Sequence, residues 1–140
     1  MSPIVVDASV AAKWFFPEDG AAAALRLLDG RRRLLAPDLI QAEFGSIVWK
    51  RHRSGVLRAE EAIDLVQQFI VMPLEIFETG PLLPTAMELA LSTQRTVYDC
   101  LYLALALSHD ARVVTADERF VNALSDGPLS RHLRLLGGRR

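Results

Sequence analysis

Four carboxylates fall in apolar company: Asp7 after Ile4-Val5-Val6, Glu43 inside a helical apolar stripe, Asp99 at the head of an apolar helix, and Asp117 after Val113-Val114-Thr115. Ionised acids drawn together away from water repel one another. At an effective dielectric of about 20 and separations of about 6 Å each pair costs roughly 2.8 kcal/mol, and four such groups on the order of 17 kcal/mol. That exceeds the whole stability margin of an ordinary domain. Either some of the acids take up protons, or a divalent cation neutralises the cluster and keeps it charged; the second is the expectation adopted. Oxygen donors without a histidine or cysteine partner suit Mg²⁺ or Mn²⁺ rather than zinc. The three histidines stand elsewhere: His52 between arginines, His109 near a helix end and His132 in a basic tail. A histidine-based acid–base mechanism is therefore not expected. No Gly-x-x-x-x-Gly-Lys loop and no Gly-x-Ser-x-Gly elbow is present.

Each acid taken singly has a plain alternative. Glu43 lies four residues after Leu39 and four before Ile47, on the face that should be buried, where it needs either an arginine partner or an edge that reaches water. Asp7 and Asp117 each follow a strand, at the end where parallel α/β sheets gather ligands, and either could instead cap the next helix. Thr115-Ala-Asp-Glu118 also satisfies a capping-box pattern, as does Thr96-Val-Tyr-Asp99. Yet the helix behind Asp99 has almost no polar face, which puts that carboxylate at the rim of something buried.

The elements that must position these groups alternate between strand and helix. Ile4 to Asp7 reads as a buried strand, Ala8 to Phe16 as a helix stopped by Pro17, Ala21 to Leu28 as a second helix ended by Gly30, and Leu34-Leu35 as a second strand. Leu39, Ile40, Phe44, Ile47 and Val48 form one helical stripe; Ala62, Leu65, Val66, Phe69 and Ile70 form another, with Gly55 between. Pro73 to Phe77 suits an edge strand, Leu82 to Leu91 an amphipathic helix, Cys100 to Leu107 a helix buried on most sides, and Val113 to Thr115 a central strand. A short helix over Phe120 to Leu124 and a weak last strand near Leu133 to Leu136 complete the pattern. Its loosest stretch is Ser125 to Leu129, around Asp126-Gly127-Pro128. Strands separated by helices imply parallel pairing, hence an α/β fold: a three-layer α/β/α sandwich about a mostly parallel sheet.

A chain of 140 residues, half of them hydrophobic, fits one domain over residues 1–140. Its net charge of −1 gives no global signal for nucleic acid, but the basic residues are clustered. Arg31-Arg32-Arg33, Arg51-His52-Arg53, Arg131 to Arg134 and Arg139-Arg140 are candidates for a basic rim around an acidic centre, or simply solvated surface. The single cysteine, Cys100, excludes an internal disulfide and is expected to pack. No basic leader and no membrane-length apolar run is visible, which points to the cytoplasm and to no membrane association.

In order along the chain, Ile4-Val-Val-Asp7-Ala-Ser9, Pro37-Asp-Leu-Ile-Gln-Ala-Glu43, Tyr98-Asp99-Cys-Leu-Tyr102-Leu-Ala-Leu-Ala106 and Val114-Thr115-Ala-Asp117-Glu-Arg-Phe120 resemble the PIN-domain family, and within it the VapC-type toxins of toxin–antitoxin pairs. The resemblance covers most of the chain; Ser46, where many relatives carry asparagine, and Cys100, where alanine is common, depart from it. It implies that Asp7, Glu43, Asp99 and Asp117 hold one or two Mg²⁺ or Mn²⁺ ions, with Ser9 and Thr115 as supporting or substrate-contacting hydroxyls. The implied activity is metal-dependent hydrolysis of RNA phosphodiesters by an activated water, with the arginine clusters touching the RNA backbone. It further implies a VapB-type antitoxin partner and a homodimer. Trp14, Phe15 and Phe16 could stack on bases but are better read as packing. Two other readings stand beside this one. A catalytically silent PIN-like scaffold would bind metal or a partner without cutting RNA. A phosphoacceptor domain would need a lysine after a late strand, and the chain has lysine only at Lys13 and Lys50.

Overall fold

The computed structural model describes residues 1–138; Arg139 and Arg140 of the basic tail lie outside the described residues. Five strands, β1 (Ile4–Val6), β2 (Leu34–Pro37), β3 (Leu74–Phe77), β4 (Arg112–Thr115) and β5 (Leu133–Leu135), form one sheet in the order β3-β2-β1-β4-β5. Every pairing is parallel. β1 and β2 are buried along their whole length, and β4 is buried but for Arg112, which is why they read as continuous apolar runs. β3, an edge strand as its proline and alternation imply, is half open to water.

Among the described residues seven α-helices flank the sheet: α1 (Ala8–Ala11), α2 (Ala21–Arg26), α3 (Leu39–Arg53), α4 (Ala59–Ile70), α5 (Thr79–Thr93), α6 (Val97–Ser108) and α7 (Glu118–Ala123). α6 lies against β1, β2 and β4 and is in turn covered by α5, so its residues from Cys100 to Ala106 are buried on all sides. Cys100 packs there, and burial pushes its thiol up.

Two expectations shift. The helix expected over Ala8 to Phe16 ends at Ala11 and tightens into a 3-10 turn over Ala12–Trp14. The tightening buries Trp14 with its indole N–H on the Ala24 carbonyl at 2.9 Å. Phe16 is buried too, and Phe15 meets Phe44 edge to face at 5.2 Å, so this aromatic run is core rather than a stacking platform. The α4 stripe is buried less than its spacing implies: Phe69 stacks on Phe44 at 4.2 Å, but Ile70 is 65% exposed, because α4 packs chiefly on α3 at the periphery.

Candidate active site

The sheet order places β1 beside β4, with β2 and β3 added on one side and β5 on the other. The chain therefore reverses its direction of winding between β1 and β4, and the crevice beyond the carboxyl ends at such a point is where α/β sheets bind ligands. Asp7 leaves β1 there, its N–H on the Val114 carbonyl at 3.1 Å. Thr115, the fully buried last residue of β4, donates its hydroxyl to Asp7 Oδ2 at 2.6 Å and accepts the Asp117 N–H at 3.1 Å. Ser9 repeats the arrangement, donating to the same oxygen at 3.0 Å and accepting the Ala116 N–H at 3.1 Å. Two hydroxyls thus lock one oxygen of Asp7 and tie the α1 start to the β4–α7 loop. Asp7 makes no side-chain cap on α1, which removes the capping alternative for it.

Asp117 does cap: its Oδ1 accepts from the N–H groups of Arg119 (3.0 Å) and Phe120 (3.4 Å), while Oδ2 faces Arg95 Nη2 at 3.8 Å. Because it is itself the cap of α7, the capping box expected over Thr115 to Glu118 is out of frame. At Asp99 the cap uses the backbone, whose N–H reaches Thr96 Oγ1 at 3.1 Å, and leaves the carboxylate to accept from Arg95 Nη2 at 2.9 Å. Glu43 has no arginine partner among the described residues and accepts instead from the Tyr102 hydroxyl at 2.5 Å.

Burial pushes the carboxyls of Asp7, Glu43 and Asp99 above the usual carboxylate range. Against it work the hydroxyls of Thr115 and Ser9 at Asp7, Tyr102 at Glu43, and the Arg95 charge at Asp99. With it work the acids themselves: Asp99 raises Asp7, Asp7 and Asp99 raise Glu43, and Asp117 raises Asp99. Burial and the charges of Asp7 and Glu43 drive the Tyr102 phenol far up, so it stays a donor.

All four acids and both hydroxyls named from the sequence therefore belong to one neighbourhood. Two residues of that neighbourhood were missed. Arg95 stands four residues before Asp99, a spacing for a helical ion pair that the sequence displayed. Tyr102 carries the one hydroxyl in an otherwise apolar buried stretch, and a buried hydroxyl needs a partner. Arg95 is delivered by Gln94, which ends α5 in the left-handed region (φ 62°), and its guanidinium lies over the Phe120 ring at 5.2 Å. Its Nε is buried without a hydrogen-bond partner.

Two runs of the expected basic rim are at the wrong end. Arg31 to Arg33 precede β2 and Arg131 to Arg134 run into β5, so both runs sit by the amino ends of strands, opposite the acids. Several are already paired, Arg33 with Glu75 through two bonds (2.8 and 2.7 Å) and Arg51 with Glu18 at 2.5 Å.

Among the described residues no group of three acidic, histidine or cysteine side chains forms a ready metal cage. The donor set still fits an oxygen-preferring ion: carboxylates only, three of them raised by burial and by one another, and a single cation, Arg95, drawn between Asp99 and Asp117.

The family model described as PIN domain matches residues 4–123. Ribonuclease VapC3 of Pyrobaculum aerophilum is 32% identical over 118 residues, which span 83% of this chain and 90% of the relative. The fold matches a crystal structure of a Pyrobaculum aerophilum protein with a TM-score of 0.72 at 22% identity, covering 97% of this chain and 90% of the other. VapBC2 from Rickettsia felis, solved with a DNA fragment from its promoter, matches at 0.66 and 16% identity over 94% and 97% of the two chains. A toxin–antitoxin complex from Klebsiella pneumoniae matches at 0.64 and 11% identity over 94% and 95%. The chain belongs to the PIN-domain family and, within it, to the VapC-type toxin ribonucleases.

Proposed function

We propose that the protein is a Mg²⁺- or Mn²⁺-dependent endoribonuclease, the toxin of a toxin–antitoxin pair, acting through Asp7, Glu43, Asp99 and Asp117. The observation that carries this is the meeting of four acids at the point where the sheet reverses its winding, with Arg95 as their sole cationic neighbour among the described residues. The four carboxylates would hold one or two ions. Bound there, such an ion supplies Lewis acidity, lowering the pKa of a water and offsetting charge on the attacked phosphate. The rest of the work falls to the chain's own groups. Ser9 and Thr115 fix Asp7, Tyr102 orients Glu43, and Arg95 brings the positive charge that a phosphate would otherwise lack beside four acids.

Cleavage of a mixed cellular RNA pool by the protein alone tests this: discrete fragments with Mn²⁺ or Mg²⁺ and none with chelator are expected, and equal cleavage under both conditions sinks the metal-dependent reading. Tyr102→Phe removes the only hydroxyl donated to Glu43, and outer partners of metal ligands are worth about 10- to 100-fold in activity or affinity. A loss of cleavage in that range is expected, with the fold intact by circular dichroism.

The likeness to VapBC2 of Rickettsia felis and to the Klebsiella pneumoniae toxin–antitoxin complex supports a VapB-type antitoxin as partner. Ile63, Ile70 and Val71 around α4 and Met87 and Leu91 on α5 are exposed apolar side chains that suit a homodimer or antitoxin contact. No helix among the described residues is long and apolar enough to cross a membrane, and the cytoplasm is the proposed location. One observation favours a catalytically silent scaffold as the second reading: Arg95 already sits where a metal's charge would be needed. Metal-dependent fragments in the RNA assay dismiss it.

A further inference from the structure

At the other end of the sheet, beside the amino ends of β1 and β4, lies a cavity of about 290 Å³ lined by four arginines, Arg32, Arg112, Arg131 and Arg134, and one acid, Asp110. In a chain of net charge −1 this is a concentrated cationic site. Arg131 pairs with Asp110 at 3.3 Å, where both side chains are largely exposed. Arg32 donates to the Ser2 carbonyl at 3.1 Å, which fixes it without neutralising it. Arg112 and Arg134 have no carboxylate partner among the described residues.

The register explains why these two converge. Val114 pairs with Arg134 and lies two residues beyond Arg112 on β4, so all three side chains leave the same face of the sheet. Arg134 is part-buried and its Nε is enclosed without a hydrogen-bond partner. Burial, with the charges of Arg32 and Arg112, holds its guanidinium below the usual arginine range. Three guanidinium groups without a carboxylate partner, Arg32, Arg112 and Arg134, line one open cavity beside a buried donor that is unmet, the mirror image of the acidic cluster, and the arrangement calls for an anion.

We propose that this arginine pocket binds a phosphate monoester group, separate from the acidic centre and independent of the nuclease reading. Forked guanidinium donors match the oxygens of a phosphoryl group, whose charge of nearly −2 answers several arginines where a carboxylate answers one. The volume is at the lower bound of small-molecule sites, which fits a phosphate with a nucleoside-sized appendage rather than a folded polymer. Strands of three or four residues separate this pocket from the acids by roughly 10 Å or more, so the group it holds is not the one being cut.

The test is calorimetry and thermal unfolding of the intact protein with inorganic phosphate and with AMP, in chelator and at constant ionic strength, so that neither metal nor screening contributes. Phosphate and AMP should raise the unfolding midpoint of the parent by several degrees at about a hundredfold excess over Kd. Arg112→Gln, a change at an exposed side chain that leaves the core untouched, should weaken binding about tenfold or more, while Arg53→Gln, outside the pocket, leaves it unchanged. Without phosphate, Arg112→Gln should unfold no earlier than the parent, since it relieves repulsion; a merely structural arginine would lower the midpoint. RNA oligomers with a 5′-phosphate or a 5′-hydroxyl identify the source. Arg112-dependent binding of the phosphorylated oligomer as well as AMP assigns the pocket to an RNA end, and binding of AMP alone assigns it to a free phosphate ester. No response of the parent to phosphate, or equal responses of parent and Arg112→Gln, overturns the proposal, as does binding of both oligomers with the same affinity where Arg112→Gln weakens both alike.

Discussion

On the proposed mechanism, Asp99→Asn should lower metal-dependent RNA cleavage by about a thousandfold or more and leave the metal-free fold in place. A thousandfold loss is about 4 kcal/mol of transition-state stabilisation, in the range expected when a group that acts as one unit with its neighbours is removed. The change is nearly isosteric and removes only charge. Its structural cost is small for three reasons. The N-terminal cap of α6 uses the Asp99 backbone N–H, which asparagine retains. The Arg95–Asp99 ion pair is part-exposed (22% and 30%), a kind of contact worth about 1 kcal/mol or less. Removing the charge also relieves repulsion felt by Asp7 and Glu43. The expected pattern is therefore an unfolding midpoint within a few degrees of the parent beside a collapse in rate. Cleavage at the parental rate would show that the acids have been assigned the wrong role; a collapse in both rate and midpoint would show that Asp99 is structural.

How far the site was legible in the chain depends on what kind of fact was needed. An acid that ends an apolar strand, such as Asp7 after Ile4-Val5-Val6, is visible because strand and side-chain burial are local properties. So was the buried course of α6, with no polar face for solvent. The strand order was not visible, because it is set by long-range packing, and with it went the knowledge that β1 and β4 are neighbours. That same gap misplaced the arginines: sequence proximity says nothing about which end of a parallel sheet a residue reaches, and Arg31 to Arg33 and Arg131 to Arg134 turn out to share the end remote from the acids. The alternatives posed for Asp117 proved compatible rather than exclusive, since a carboxylate has two oxygens, one on the cap of α7 and one facing Arg95. Arg95 itself escaped notice because its role depends on the left-handed turn at Gln94, which glutamine does not advertise.

The metal-free protein should lose stability as the pH rises through the range just above ordinary carboxylate values, and a divalent ion should restore it most at the high end. Asp7, Glu43 and Asp99 have folded-state pKa values above those of the unfolded chain. The folded state therefore holds more protons than the unfolded one in that window. For acids shifted in this direction the stabilising contribution is complete below the unfolded pKa, about 4, and disappears as pH climbs through the folded values. The exposed pairs Arg33–Glu75 and Arg58–Glu61 shift their acids the other way, below the ordinary range and so below this window. A metal ion replaces protons with a charge that does not leave, and protons compete with it, so its effect must grow with pH. At about a hundredfold excess over Kd it contributes roughly 2.7 kcal/mol, on the order of 8 °C in midpoint for a chain of this size. Thermal unfolding at pH 5.5 and 8, with chelator and with Mn²⁺, reads all of this at once. A chelated midpoint that falls with pH, and a Mn²⁺ shift larger at pH 8, are expected, both flattened in Glu43→Gln. A Mn²⁺ shift equal at the two pH values would mean that the ion binds somewhere other than these acids, because only groups that trade protons for metal link the two.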